Sequence, residues 1–246
     1  MLKRTNRSNF KKATFVLMPV LSLAVCVSVC AQDAAVEGGK GLTFWRLIFN
    51  GGWVMAVIGI LSIVALTLII DLFFRLRSAK MIPAGYLDGV KETLKARDLK
   101  KAMQESELQG SFMSNVILSG LKKCGQDLKM VQEAMSETGA KEAVGLQQRV
   151  NYLSTIGTTA PMLGLLGTVL GMIQAFNIIA YEAGLGKPTA LAGGVAQALV
   201  TTAFGLIVAI PAMGFFFYFR NRLEKIVFEV EINAGDISLY LGRKNS

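Results

Sequence analysis

Three long apolar segments constrain the fold more than any other feature of this sequence. They cover residues 53–74, 151–180 and 190–219. Each is at least as long as the ~20 residues that a helix needs to cross a bilayer. Because a bilayer offers no water to exposed backbone groups, segments that cross it form helices or closed barrels. The sequence therefore predicts an all-α membrane protein with three transmembrane helices.

Composition and charge agree with this prediction. Hydrophobic residues make up 52% of the chain and charged residues only 17%, whereas a soluble domain has about a quarter charged residues. The net charge is +9, and basic residues follow two of the apolar segments, namely Arg75 with Arg77 and Arg220 with Arg222. This pattern is typical of membrane proteins with cytoplasmic basic flanks. We therefore expect a lipid bilayer around the chain and no nucleic-acid partner.

The N-terminus has the pattern of a secretory signal peptide. A basic beginning and an apolar stretch lead to small residues before Gln32. We predict a signal peptide over residues 1–31, and the alternative is an uncleaved first membrane anchor. Residues 32–52 are then periplasmic and include an interfacial helix. Residues 53–74 enter the membrane from that side, so the mature N-terminus is periplasmic and the C-terminus cytoplasmic.

The remaining polar parts are predicted from the same topology. Residues 75–150 form a cytoplasmic helical region, because their apolar residues recur at helical spacing. Residues 181–189 form a periplasmic turn, and residues 220–246 form a cytoplasmic tail. The second and third membrane segments are longer than a bilayer requires, so we expect long helices that tilt or extend into the cytoplasm.

Several chemistries are disfavoured by residue types alone. The chain has no histidine, and of its three cysteines Cys26 and Cys30 lie in the predicted signal peptide. Histidine-based triads are therefore excluded, and we expect no metal site and no cofactor. Neither the second nor the third apolar segment contains an acidic residue. We expect a protein that is not an enzyme and has no proton relay built from its own membrane carboxylates.

Small residues are arranged in a stripe along the second and third apolar segments. At about 100° per residue, they share one face while large aliphatic residues take the other. Stripes of this kind allow a second helix to approach closely. The predicted helix-packing face consists of Gly157, Pro161, Gly164, Gly167, Gly171, Gly194 and Gly205.

Uncharged polar residues accompany the small ones, and two interpretations of them remain open. They are Thr168, Gln197, Thr201 and Thr202. In ordinary packing, the threonines bond to their own backbone and the glutamine joins two helices. Alternatively, the four residues line a pore around an ionisable group that another protein supplies.

The second and third apolar segments resemble those of a known family. Residues 151–176 and 191–212 resemble the second and third membrane helices of the MotA/TolQ/ExbB proton channel family. Three predicted spans are closest to the ExbB and TolQ subunits. The resemblance implies a homo-oligomeric ring, a pentamer, around the helices of an ExbD/TolR-like single-span partner in the bacterial inner membrane. Proton flow then drives motion that a TonB- or TolA-like protein receives.

The same resemblance implies roles for individual residues. It matches Thr168 and Thr202 to pore-facing threonines. Gln197 departs from the family pattern, because ExbB and TolQ proteins commonly have glutamate there, and a neutral amide neither holds nor releases a proton. We therefore expect a subunit of a proton-channel motor that energises TonB- or Tol-type transport or envelope processes. A non-conducting membrane scaffold with the same ring architecture is the alternative.

Overall fold

The computed structural model describes residues 52–96, 98–181 and 188–242. The predicted signal peptide, nearly all of the periplasmic segment 32–52 and most of the turn 181–189 lie outside the described residues. Within the described ranges every regular element is an α-helix, which confirms the all-α class for this part of the chain. The helices are α1 (Gly52–Arg75), α2 (Ser78–Met81), α3 (Ala84–Lys95), α4 (Leu99–Gln109), α5 (Phe112–Lys122), α6 (Leu128–Tyr181) and α7 (Pro188–Gly242).

Three of these helices, α1, α6 and α7, are long and apolar enough to cross a membrane, as the sequence predicted. The helices α6 and α7 contain 54 and 55 residues. Each is therefore more than twice the ~20 residues needed for one crossing. Both continue well beyond their apolar segments, and each also runs through an internal proline, Pro161 in α6 and Pro211 in α7.

The chain divides into two compact units, and α1, α6 and α7 contribute residues to both. We call the first the apolar unit; its described residues are 52–69, 153–181 and 188–216. We call the second the polar unit; its described residues are 70–96, 98–152 and 217–242. Each unit buries its own set of side chains.

In the apolar unit, α1 buries only a narrow face. Its buried side chains include Val54, Ile58 and Ala65, whereas Ile63 and Leu66 are 68% and 60% exposed. A helix that is apolar on every side but buried on one suits a lipid environment, where the outer side chains lose nothing by leaving protein contacts.

In the polar unit, α4 contacts α3 and α5, and α5 also lies against α6 and α7. Asp98 accepts a hydrogen bond from the backbone N–H of Lys101 at the beginning of α4, and Ser111 forms a capping box with Ser114 at the beginning of α5. Between them, Gly110 ends α4 with a φ of 54°, a left-handed conformation that glycine adopts without strain. The unit's buried core includes Val90, Met113, Ile117, Val131, Leu223 and Ile237.

Candidate functional site

The helices α6 and α7 meet in the apolar unit along a seam of small residues, and several of these have no room for a side chain. A Cβ on Gly205 would lie 2.7 Å from the carbonyl oxygen of Ala160. A Cβ on Gly164 would lie 3.0 Å from Cα of Thr202, and one on Gly171 would lie 3.0 Å from Cβ of Ala198. The two backbones are therefore nearly in contact.

The other glycines of the predicted packing face also lie at this seam. A Cβ on Gly194 would lie 2.8 Å from Cβ of Ala175, and one on Gly157 would meet the Met213 side chain at 2.6 Å. Gly167 lies against the side chain of Thr201, and Pro161 is half-buried. The sequence could not say which helix covers this face. In the structure it is the neighbouring helix of the same chain.

The three threonines differ in what their hydroxyl groups bond. The Thr168 hydroxyl donates to the carbonyl of Leu165 at 2.6 Å, and the Thr201 hydroxyl donates to the carbonyl of Ala198 at 2.8 Å. Both bonds stay within one helix, as the packing interpretation expected. The Thr202 hydroxyl instead crosses the seam and donates to the carbonyl of Gly164 at 3.1 Å. Thr202 therefore joins α7 to α6 directly.

Thr201 differs in burial from the other residues predicted to line a pore. Its side chain is only 1% exposed and lies against Gly167. This enclosure between two helices of one chain favours the packing interpretation for Thr201, and its pore-lining role stays a prediction. Thr168, Gln197 and Thr202 remain partly exposed.

One edge of the seam carries two threonines, and we call it the threonine edge. Thr202 on α7 reaches the carbonyl of Gly164 on α6. Thr168 follows Gly164 by four residues, so it lies one turn further along the same side of α6. Both hydroxyl groups are therefore on this edge of the helix pair.

Gln197 lies on the opposite edge. It precedes Thr202 by five residues, which places it about 140° away around α7, with buried Ala198 and Thr201 between them. Thr201 contacts Gly167 of α6, and Gln174 follows Gly167 by seven residues, or about two turns. Gln174 and Gln197 thus share a second edge, which we call the glutamine edge. Gln174 was not among the residues predicted from the sequence, although its spacing of seven residues from Gly167 indicated the same face.

The threonine edge has a definite hydrogen-bonding character. A hydroxyl group has one donor and two acceptor lone pairs. Because Thr168 and Thr202 donate their hydroxyl protons to backbone carbonyls, their oxygens offer only acceptor lone pairs to a group that binds at this edge. Water, or the protonated form of a carboxyl group, can donate to such oxygens. In α6 and α7 the described residues of the apolar unit include no Asp or Glu, so any titratable group at this edge has to be supplied from elsewhere.

Comparisons with known proteins identify the family to which the α6–α7 region is similar. Residues 91–232 match the MotA/TolQ/ExbB proton channel family, and this range includes both edges of the seam. The ExbB biopolymer transport protein of Pseudomonas putida is 26% identical over 234 residues, which are 88% of this chain and 69% of that protein.

Two further relatives carry similar names. An ExbB homolog of Methanothermobacter thermautotrophicus is 27% identical over 191 residues, which are 77% of this chain and 67% of the homolog. An ExbB-like protein of Synechocystis is 34% identical over 171 residues, which are 67% of this chain and 65% of that protein. Together with three apolar helices and a glycine seam, the match over more than half of its length shows that this chain belongs to the MotA/TolQ/ExbB proton channel family.

Proposed function

We propose that the chain is an ExbB/TolQ-like subunit of a proton-channel motor in the bacterial inner membrane. It forms a homo-oligomeric ring, a pentamer by resemblance, around an ExbD/TolR-like single-span partner. The proton motive force drives this assembly, which passes motion to a TonB- or TolA-like protein for transport or envelope processes. Family membership and the names of the three relatives support this role.

The threonine edge is the observation that carries the proposal. Its two hydroxyl oxygens accept but do not donate, because both hydroxyl protons already bond to the carbonyls of Leu165 and Gly164. A partner carboxyl group that takes up a proton becomes a donor to these oxygens, and it loses that interaction when it ionises. An acceptor-only wall therefore responds to the protonation state of the partner. We assign Thr168 and Thr202 to the lumen of the ring.

We further propose that the polar unit lies in the cytoplasm. The basic residues Arg75 and Arg77 stand at the end of α1, and Arg220 and Arg222 follow the apolar part of α7. Positive charges of this kind remain on the cytoplasmic side of membrane proteins. With the signal peptide removed, the mature N-terminus is then periplasmic and the C-terminus cytoplasmic.

A non-conducting scaffold of the same ring architecture is the second candidate. Gln197 favours it, because this side chain is a neutral amide where ExbB and TolQ proteins commonly have glutamate. The position of Gln197 on the glutamine edge weakens this argument. A residue about 140° from Thr202 does not have to take part in a path along the threonine edge.

Proton flux into proteoliposomes separates the two candidates. The chain is reconstituted with and without the single-span protein that copurifies with it, and flux is followed with a pH-sensitive dye under an imposed potential. A motor subunit gives flux above empty vesicles only with the partner present. A scaffold gives none in either preparation.

The substitution Thr168→Val tests the assigned edge. It keeps the side-chain shape and removes one neutral hydrogen-bonding group, so flux should fall about 2- to 10-fold. Thr159→Val is the matched control, because Thr159 also bonds to its own backbone and lies nine residues, or about 180°, away from Thr168. Equal flux in the two variants would contradict the assignment of the threonine edge to the lumen.

A further inference from the structure

The C-terminal end of α1 carries a charge that opposes the helix. Asp71 lies in the last turns of α1, where the partial negative charge of the helix end disfavours a carboxylate. Two guanidinium groups offset this. Arg75 Nε donates to both carboxylate oxygens of Asp71 at 2.7 and 2.8 Å. Arg149 of α6 approaches the same carboxylate at 3.5 Å through its Nη1.

A second arginine reaches the end of α1 from the other long helix. Arg222 of α7 donates through Nε to the backbone carbonyl of Leu76, which immediately follows α1. Its Nη1 donates to the hydroxyl of Tyr218 at 3.0 Å, and this bond orients the guanidinium group. Carbonyl groups at a helix end have no partner within the helix. Arg222 therefore serves as a C-terminal cap that comes from a residue 146 positions away.

Apolar packing at this point is one-sided. Leu72 and Leu76 are fully buried, whereas the adjacent Phe73 and Phe74 are 53% and 67% exposed. A helix end with buried contacts on a single face opens locally more easily than one packed on several faces. The contacts of Arg149 with Asp71 and of Arg222 with the Leu76 carbonyl hold this helix end in a defined orientation on α6 and α7.

We propose that Arg149 and Arg222 form a clamp that positions the end of α1 on α6 and α7, and that this clamp fixes the beginning of the polar segment 77–122. The proposal does not depend on proton conduction. It assigns positioning roles to two arginines whose basic character alone would be explained by membrane orientation.

The other end of segment 77–122 is attached independently. In α5, Asn115 donates to the carboxylate of Glu142 at 2.9 Å. The Ser119 hydroxyl is 2.7 Å from the carbonyl of Val116 in the same helix and also lies 3.1 Å from the carbonyl of Ala134. Opening the clamp should therefore expose the beginning of the segment and leave its end in place. General destabilisation would loosen both ends together.

The two contacts differ in expected strength. Asp71 and Arg149 are 38% and 46% exposed, and exposed ion pairs contribute little. Arg222 is half-buried, and its loss leaves the carbonyl of Leu76 without its partner. Arg222 should therefore dominate the clamp, and Arg149 should contribute a smaller part.

Limited trypsin digestion of the purified full chain tests this directly. The exposed residues Arg77 and Lys80 are cleavage sites at the beginning of the segment, and the exposed Lys122 and Lys123 are reference sites at its end. In Arg222→Met, cleavage at the first pair should accelerate roughly 10- to 100-fold, since a hydrogen bond from a charged donor is lost and cleavage follows local opening. Cleavage at the reference sites should not change.

Three further variants complete the test. Arg222→Lys retains a charged donor and should show a smaller acceleration, and Arg149→Gln should give about 2- to 5-fold. Arg220→Gln is the matched control, because Arg220 is exposed and pairs with the exposed Glu224 one turn later on α7. The clamp is overturned if Arg222→Met cleaves no faster at Arg77, or if both ends accelerate equally. If Arg222→Met does not fold, wild-type cleavage in both Arg222→Lys and Arg149→Gln overturns it.

Discussion

The substitution Gly205→Ala tests whether backbone contact at the α6–α7 seam determines which residues are allowed there. The added methyl carbon would lie 2.7 Å from the Ala160 carbonyl oxygen and 3.2 Å from Cα of Gly164. Both neighbours are backbone atoms, which cannot rotate away as a flexible side chain can. Ordinary contact begins near 3.4 Å, so the helices have to separate by about 0.7 Å, enough to lose a quarter to a half of the dispersion energy of each contact.

This separation can be converted into a stability difference. Overpacking costs about 1–3 kcal/mol. Replacing a helical glycine with alanine offsets about 1 kcal/mol of this cost, because alanine is the better helix former. Gly214 on the same helix offers the matched control, since a Cβ there would meet nothing within 4 Å. Gly214→Ala keeps the whole propensity gain, so the two variants should differ by about 1–3 kcal/mol.

Thermal unfolding in detergent, followed by a thiol-independent dye or by light scattering, measures this difference. For a chain of this size, 1–3 kcal/mol corresponds to roughly 2–12 °C in apparent Tm. Gly205→Ala should unfold below the wild type, and Gly214→Ala at or above it. An apparent Tm for Gly205→Ala equal to that of Gly214→Ala would refute the view that the seam excludes even a methyl group.

Three other predictions concern the glutamine edge, the polar unit and the N-terminus. Gln197→Leu should reduce partner-dependent proton flux less than Thr168→Val does in the same vesicles, because the two residues leave the helix pair on opposite edges; a larger loss in Gln197→Leu contradicts this. Burial raises the pKa of Tyr86 above its ordinary value, so the stability that depends on the protonated phenol is complete below pH ~10 and is lost as pH rises through the folded pKa. Tyr86→Phe should flatten this alkaline decline in melting curves, while costing about 1 kcal/mol at neutral pH through loss of the 2.6 Å bond to Ser106. Mass spectrometry of purified protein should find a mature chain that begins near Gln32, and retention of residues 1–31 would show an uncleaved anchor instead.

Helical spacing predicts part of the α6–α7 seam and leaves another part undetermined. Helical periodicity placed Gly164 and Gly171 on one face of the second apolar segment and Gly205 on the small-residue face of the third, because spacing along a helix sets direction around it. It also placed Thr201 and Thr202 together, since adjacent residues differ by only about 100°. The second helix separates them. Thr201 is enclosed by Gly167, and Thr202 reaches the carbonyl of Gly164.

The lengths of α6 and α7 could likewise be predicted only in part from the sequence. Apolar runs mark where a helix can lie in lipid, so they located the membrane parts of α6 and α7. They could not show that α6 begins at Leu128 or that α7 continues to Gly242. Those ends depend on packing in the polar unit, where buried residues such as Val131 and Ile237 come from parts of the chain about 100 positions apart.

By itself, the sequence determined three membrane-compatible helices, a face of small residues on two of them, and the absence of acidic residues from those two segments. These are local properties, because hydrophobic length and helical direction follow from neighbouring residues alone. Tertiary structure decided what covers each face. It assigned the glycine face to the partner helix of the same chain, separated a threonine edge from a glutamine edge, and brought Arg222 to the carbonyl of Leu76 across 146 positions. Such choices depend on the relative register of distant helices, and periodicity within one helix contains no information about register.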